Sequence, residues 1–264
     1  VRVLAEGLPG VMQSSLMEWN REEFPGLVQL ARDRGAVAFN AYFLVCTGRG
    51  EKLSDIDREQ YERTLRWLVA EESAQRGSMM VRAKCAPHAA RIACQESSPL
   101  GGSAGCLAGK SYVRIGPRGE VTPCPYMPTE VGNVLDEGIE EVWNTAPLLT
   151  QLREGERTGR CGRCEYESVC GGCRARAFAS SGDAMADDPW CSHEPSDAAR
   201  PHDVEVLWTE EARERLARVP AFLRGRLETG LEAHARARGL TAVTSELMAE
   251  VRRSAGRPPG GPID

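Results

Sequence analysis

Along the first third of the chain, apolar positions switch between two periods. Residues 10–17, GVMQSSLM, read as a strand. The following REEFPGLVQLARDRG brings Phe24, Leu27, Val28 and Leu30 or Ala31 onto one helical face, closed by Gly35. AVAFNAYFLV (36–45) is an almost unbroken apolar run, the pattern of a strand covered on both faces in a parallel sheet. SDIDREQYERTLRWLVAEE opens on capping residues and aligns Tyr61, Leu65, Leu68 and Val69. MMVRAKC supplies a third strand. The order β-α-β-α-β predicts right-handed parallel crossovers, and hence an α/β fold that is part of a barrel or of a doubly wound sheet. Three strands are too few to close a barrel. A sheet cut there leaves a bare edge, so this half-domain is expected to fold poorly alone.

The pattern then changes twice. QESSPLGGSAG (95–105) reads as a linker. SYVRIGPRGEVTPC predicts a hairpin turning at Gly116-Pro117-Arg118-Gly119, and EGIEEVWNTAPLLTQLREG a short helix broken before Pro147 and then resumed. From Cys161 onward periodicity gives way to cysteines, with Gly171-Gly172 placed to let the backbone approach whatever the thiols bind. The second shift falls at SDAARPHD (196–203). Beyond it, WTEEARERLARVPAFLRGRLETGLEAHARARG predicts two helices parted at Pro220, with Leu223, Leu227, Leu231 and Ala235 as a stripe and Gly239 as a stop. A third helix is expected from near Thr244, followed by a disordered tail, SAGRPPGGPID.

Composition removes several function classes. A net charge of −5 over 264 residues gives no general attraction to nucleic acid or to an anionic membrane. No apolar run approaches the roughly 18–20 residues needed to span a bilayer, and the N-terminus has no signal-peptide pattern. The chain lacks an initiator Met and is expected to be a fragment or a processed product.

Of the ten cysteines, Cys46, Cys85 and Cys94 are scattered, whereas the other seven lie between Cys106 and Cys191. CxxC spacing without export signals favours reduced, metal-binding thiols and points to the cytoplasm. The spacing is Cys106-x12-Gly119-x4-Cys124, a gap, Cys161-x2-Cys164-x5-Cys170-x2-Cys173, then Cys191. Seven thiolates exceed the four that one zinc takes and nearly match two four-iron clusters. A structural zinc on Cys161, Cys164, Cys170 and Cys173 would leave Cys106, Cys124 and Cys191 without a role, and its five-residue separation is tight for a zinc ribbon. Disulfides would need an oxidising compartment. Iron–sulfur is the favoured reading.

This cysteine order resembles the SPASM domain, the auxiliary-cluster module of many radical SAM enzymes. GEVTPCPYMP, GNVLDEGIEEVW, CGGCRARAFASSGD and DPWC carry the likeness across roughly residues 100–193. The x2 rather than x3 spacing of the last pair is familiar in the tetrapyrrole-modifying members, which this sequence resembles most. The resemblance implies one cluster on Cys161, Cys164, Cys170 and Cys191. It implies a second on Cys106, Cys124 and Cys173, whose fourth ligand is Cys85, Cys94 or an open iron site. Cys94 and Cys46 otherwise read as ordinary buried thiols. The implied cofactors are two auxiliary 4Fe–4S clusters, with S-adenosylmethionine and a third 4Fe–4S cluster only in the complete enzyme.

Residues 1–95 then resemble the C-terminal half of a radical SAM barrel, residues 96–197 being the SPASM domain. The family's SAM-cleaving CxxxCxxC loop is absent from this chain and is expected upstream of Val1. In the complete enzyme that cluster would cleave SAM to a 5′-deoxyadenosyl radical. Ser14 and Ser15 could face SAM there, although solvated strand-end serines are the simpler reading. Residues 204–251 resemble the helical PCP-reductase domain of light-independent protochlorophyllide reductase, which sets a domain at 198–254 and a tail at 255–264. Both resemblances imply a tetrapyrrole substrate of haem-type biosynthesis, with a peptide or another small molecule as the alternative. A reduced ferredoxin or flavodoxin would supply electrons, and a non-enzymatic electron-transfer or scaffold module is the rival class. His88, His193, His202 and His234 read as isolated, the arginines of ARERLAR and RGR as a solvated face, and Trp143 and Trp190 as packing beside the cysteine loops.

Overall fold

The computed structural model describes residues 9–45, 47, 56–75, 78–96, 105–196, 206–237 and 240–254. Cys46, His202, Gly239, most of the 95–105 linker and the 255–264 tail lie outside them. Three strands, β1 (Val11–Leu16), β2 (Ala38–Phe43) and β3 (Met80–Lys84), form a parallel sheet in the order β1-β2-β3. Val11 pairs with Ala38 and Ala38 with Met80. Helix α1 (Phe24–Asp33) joins the first two strands and α2 (Arg58–Ala74) the second pair, while α3 (His88–Gln95) follows β3.

The predicted first helix is shorter than its periodicity implies. Glu18–Glu23 forms a 3-10 turn, because Asn20 accepts from Met17 N at 2.9 Å and donates to Ser15 O at 2.9 Å. The α-helix begins only at Phe24, with Pro25 in its first turn, where the missing N–H is no loss. Helix α2 is fixed by a reciprocal cap in which Asp57 accepts from Gln60 N at 2.7 Å and Gln60 accepts from Asp57 N at 2.9 Å. Strand β2 is covered on both faces, as its apolar run predicts. Phe24, Phe39, Phe43, Tyr61, Leu65 and Leu68 close the core around it, each contributing about 1.5–3 kcal/mol by burial.

Between residues 105 and 196 regular structure is short. Strands β4 (Arg114–Ile115), β5 (Glu120–Thr122) and β6 (Gly132–Asn133) make an antiparallel meander. Gly119 closes the predicted turn at φ +85°, its N–H donating to Gly116 O at 3.1 Å. Helices α4 (Ile139–Thr145) and α5 (Pro147–Glu154) part at Ala146 as expected. Helices α6 (Gly159–Arg163) and α7 (Arg174–Ser181) lie inside the cysteine-rich stretch. Helix α7 buries Arg174 and Arg176 rather than an apolar stripe, so no hydrophobic period announces it.

The C-terminal region holds α8 (Glu210–Ala217), α9 (Ala221–Ala237) and α10 (Ser245–Ser254). It is not purely helical. Leu207–Trp208 (β7) and Ala242–Val243 (β8) form a two-residue parallel pair, too short to leave an alternation in the sequence. Ala212, Leu231, Ala235, Val243 and Leu247 form its core. Of the expected stripe, Leu231 and Ala235 are buried, Leu227 is 40% exposed, and the Leu223 side chain lies outside the described part. Among the described residues no helix is long and apolar enough to cross a membrane.

Candidate metal centre

Four cysteines far apart in sequence meet beneath the end of β3. Cys85 follows that strand at φ +57°, the one positive φ at a non-glycine residue among those described. The Arg176 guanidinium holds its carbonyl at 2.8 Å. Such a backbone persists only where its surroundings enforce it. Cys106 follows Gly105, where a Cβ would stand 2.3 Å from Cys170 O and 2.6 Å from Val169 O. The loop therefore lies directly against the cysteine-rich backbone. Cys124 closes the hairpin, and Cys173 stands at the head of α7. The Cys173 thiol donates to Cys106, which lowers the pKa of Cys106 and raises that of Cys173. Burial pushes Cys85 and Cys124 up to about 11, and the charge of Cys173 adds to both. Tyr126 hydrogen-bonds to Cys85.

A second quartet, Cys161, Cys164, Cys170 and Cys191, lines one pocket together with His88, Arg91, Gly171, Gly172 and Asp188. Burial pushes Cys164 up to about 12 and raises Cys170 and Cys191, each also feeling Cys161. Donors already reach two of these sulfurs. Tyr166 N donates to Cys164 Sγ at 3.4 Å, and Arg174 Nη2 to Cys161 Sγ at 3.7 Å. Gly171 and Gly172 both sit at φ +62°. A Cβ on Gly172 would lie 2.6 Å from Arg174 Nη2 and 3.3 Å from Cys161 Sγ, so the backbone itself walls the pocket.

The chemistry of these donors suits an iron–sulfur core. Buried thiols that raise one another's pKa resist ionising together, and a cationic metal core inverts that preference. None of the nine described cysteines is in a disulfide. Cys94 belongs to neither quartet. It packs with Tyr166 beside Val169 and Cys170, and burial alone raises it to about 11.

Between the quartets runs a buried polar chain that the sequence reading missed. Arg176 donates to Asp188 through Nε (3.0 Å to Oδ1) and Nη2 (2.9 Å to Oδ2), and to Tyr61 Oη at 3.2 Å. Tyr61 Oη lies 2.8 Å from His88 Nδ1. Asp188 also accepts from Cys173 N at 2.6 Å and Trp190 N at 3.0 Å. Arg176 stacks on Trp190 with 4.5 Å to the ring centroid. His88 is thus not isolated, and neither is His193, whose Nε2 lies 3.0 Å from Glu165 Oε1. Positions 61, 88, 176 and 188 share no local motif, and an arginine inside a short helix carries no sign of burial.

Trp190, one residue before Cys191, packs against the core of the parallel sheet, 5.1 Å from the Tyr61 ring, and Trp143 packs under Arg153 in the hairpin's own cluster. Among the C-terminal arginines, Arg215 donates to Ser245 O at 3.3 Å and Arg224 to Ala217 O at 2.7 Å, so both tie helix ends together. A cavity of about 860 Å³ has the first quartet itself in its wall, so it includes the space between those four thiols. Tyr42, Lys84, Tyr112 and Tyr126 line it, with Leu227 and Leu231 of α9 on the far side.

Residues 106–174 match the family model of the SPASM iron-sulfur cluster-binding domain, and residues 208–252 that of the proto-chlorophyllide reductase 57 kD subunit. The AdoMet-dependent heme synthase of Methanosarcina barkeri is 35% identical over 200 residues, covering 71% of this chain and 57% of that protein. That of Nitratidesulfovibrio vulgaris is 37% identical over 204 residues, covering 72% and 55%. In fold, the chain is similar to Streptococcus suis SuiB bound to S-adenosylmethionine, with TM-score 0.55 at 15% identity over 73% of this chain and 47% of that one. The chain carries a SPASM iron–sulfur domain followed by a PCP-reductase-type segment, and is similar to radical SAM/SPASM proteins of haem biosynthesis. It spans about half the length of the curated relatives it matches.

Proposed function

We propose that this chain provides two auxiliary 4Fe–4S sites to a radical SAM enzyme that modifies a haem-type tetrapyrrole. Cys85, Cys106, Cys124 and Cys173 hold one cluster, and Cys161, Cys164, Cys170 and Cys191 the other. One observation carries the reading: eight of the nine described cysteines sort into two quartets that line two separate pockets, four of the eight being buried and four half-buried. We take Cys85 as the fourth ligand, because it lines the same pocket as Cys106, Cys124 and Cys173 while Cys94 does not. The three-stranded sheet is read as part of a radical SAM barrel, and the helices beyond residue 206 as a wall over the first cluster. When bound, such clusters supply or accept single electrons. The protein's own part is to exclude water, to hold the thiolates and to place donors on their sulfurs. A reduced ferredoxin or flavodoxin is the expected electron source.

The substrate class rests on the relatives and on the cavity. The similar proteins include AdoMet-dependent heme synthases and, at 30% identity over 228 residues, the pre-heme d1 synthase of Dinoroseobacter shibae. Three tyrosines and a lysine around about 860 Å³ suit a flat, carboxylate-bearing ring. A peptide substrate is the second reading, supported by 29% identity over 204 residues to a PqqA peptide cyclase.

Iron and acid-labile sulfide, measured after anaerobic preparation, are expected near eight of each per chain. Cys85→Ala should fall to about four and Cys94→Ala should stay near eight. A compact, colourless, zinc-loaded chain overturns the assignment. Porphyrin-induced changes in tyrosine fluorescence, absent with peptide, separate the two substrate readings.

A further inference from the structure

Tyr61, fully buried, meets two polar partners among the described residues: Arg176 Nη2 at 3.2 Å and His88 Nδ1 at 2.8 Å. Arginine can only donate, so the Tyr61 oxygen is its acceptor. The hydroxyl proton then has one place to go, His88 Nδ1. The opposite tautomer would strand both that hydroxyl proton and an Nε2 lone pair in the interior, at about 1–3 kcal/mol each. His88 is therefore the Nε2–H tautomer. Burial pulls its pKa down to about 4, Asp188 opposing, so the ring is neutral at pH 7.

Among the described residues that Nε2–H has no hydrogen-bond acceptor. Asp188 Oδ2 lies 3.6 Å away, beyond hydrogen-bond reach, and already accepts from Cys173 N and Arg176. His88 is 1% exposed and lines the pocket of Cys161, Cys164, Cys170 and Cys191. A buried donor left unmade is expensive unless something in that pocket takes it.

We propose that His88 Nε2–H donates a hydrogen bond to a sulfur of the second cluster, its tautomer set by the Arg176–Tyr61 pair. The inference rests on the two-cluster reading above. An N–H at a cluster sulfur stabilises the electron-rich reduced state and so raises the reduction potential. The same chain touches the first quartet, because Arg176 also holds the Cys85 carbonyl and Asp188 accepts from Cys173 N. Tyr61 is a positioning residue in this arrangement: it never reaches the cluster.

The test uses the full chain, reconstituted anaerobically, with each reduced cluster followed by electron paramagnetic resonance at poised potentials. The second cluster is the signal lost in Cys170→Ala and kept in Cys85→Ala. His88→Phe is expected to keep its iron while this potential moves negative. His88→Gln, which retains an N–H, should return it towards the parent value. Tyr61→Phe should give a smaller negative shift, since the ring then loses its fixed tautomer. An unchanged potential in iron-replete His88→Phe overturns the proposal and leaves the two-cluster reading standing. If His88→Phe fails to assemble, Tyr61→Phe decides: a negative shift supports the proposal and none sinks it. A parent chain without a second cluster removes both.

Discussion

Between β1 and α3 the fully buried side chains include Phe24, Phe39, Phe43, Leu65 and Ile92. Between Cys106 and Cys191 those with little or no exposure include Cys161, Cys170, Cys173, Arg174, Arg176 and Asp188. The first region has strands of five or six residues and long amphipathic helices, the second strands of two or three residues joined by turns. Apolar burial drives the first. The second gathers thiols, guanidinium groups and a carboxylate, groups that penalise burial unless paired or bound. The comparison teaches that one chain folds by two means, oil-like packing at one end and what the cysteines hold at the other. The two meet at Tyr61, His88 and Trp190.

Removing iron is the strongest way to break this contrast. Chelation under anaerobic, reducing conditions should abolish amide protection throughout residues 105–196, including β5 and α7, because the seven thiols proposed as ligands there would lose the iron they share. Strands β1–β3 should keep most of theirs, as their core contains no cysteine. Equal loss across both regions, read by hydrogen exchange, would show that the clusters staple the whole chain.

Arg176→Leu probes the junction. It strands Asp188, which is 0% exposed, and frees the Tyr61 hydroxyl and the Cys85 carbonyl. Breaking one partner of such a pair costs about 3–5 kcal/mol. Because the arginine reaches into both regions, their denaturant transitions should move down together. A shift confined to residues 105–196 would show that the first region does not need the junction.

How much of this was legible in the sequence follows the same division. Strand β2, the stripe of α2 and the Ala146 break are repetitive apolar signals, and the chain displays them openly. The cysteine spacing grouped seven thiols, but Cys85 comes beside Cys106, Cys124 and Cys173 only through tertiary packing, Arg176 of α7 holding its carbonyl at the end of β3. The Tyr61–His88–Asp188–Arg176 chain was silent for another reason. Tyr61 shows only as part of the α2 stripe, and His88, Asp188 and Arg176 are ordinary surface residue types until tertiary packing buries them. Strands β6, β7 and β8 are two residues long, shorter than any period that could announce them.

Acid offers the gentlest test of the junction. In an unfolded chain His88 titrates near about 6.5. In the fold, burial pulls it down to about 4, Asp188 and Glu62 raising it while Arg176 and Arg91 lower it. The unfolded state thus takes up the proton first on acidification. The contribution is complete above about pH 6.5 and is lost as pH falls towards 4, amounting to about 2 kcal/mol by pH 5. Asp188 does not share this window. Burial would raise its carboxyl, but Arg176 holds it well below the usual range, so its own loss begins only below about pH 4. Denaturant midpoints measured at pH 7 and pH 5 should therefore fall in the parent chain and stay nearly level in His88→Phe. Since His88 stands on α3 while its carboxylate neighbour stands before Cys191, the acid loss should appear in both regions at once. A slope that survives the substitution locates the proton uptake elsewhere and leaves the junction a packing contact rather than an electrostatic one.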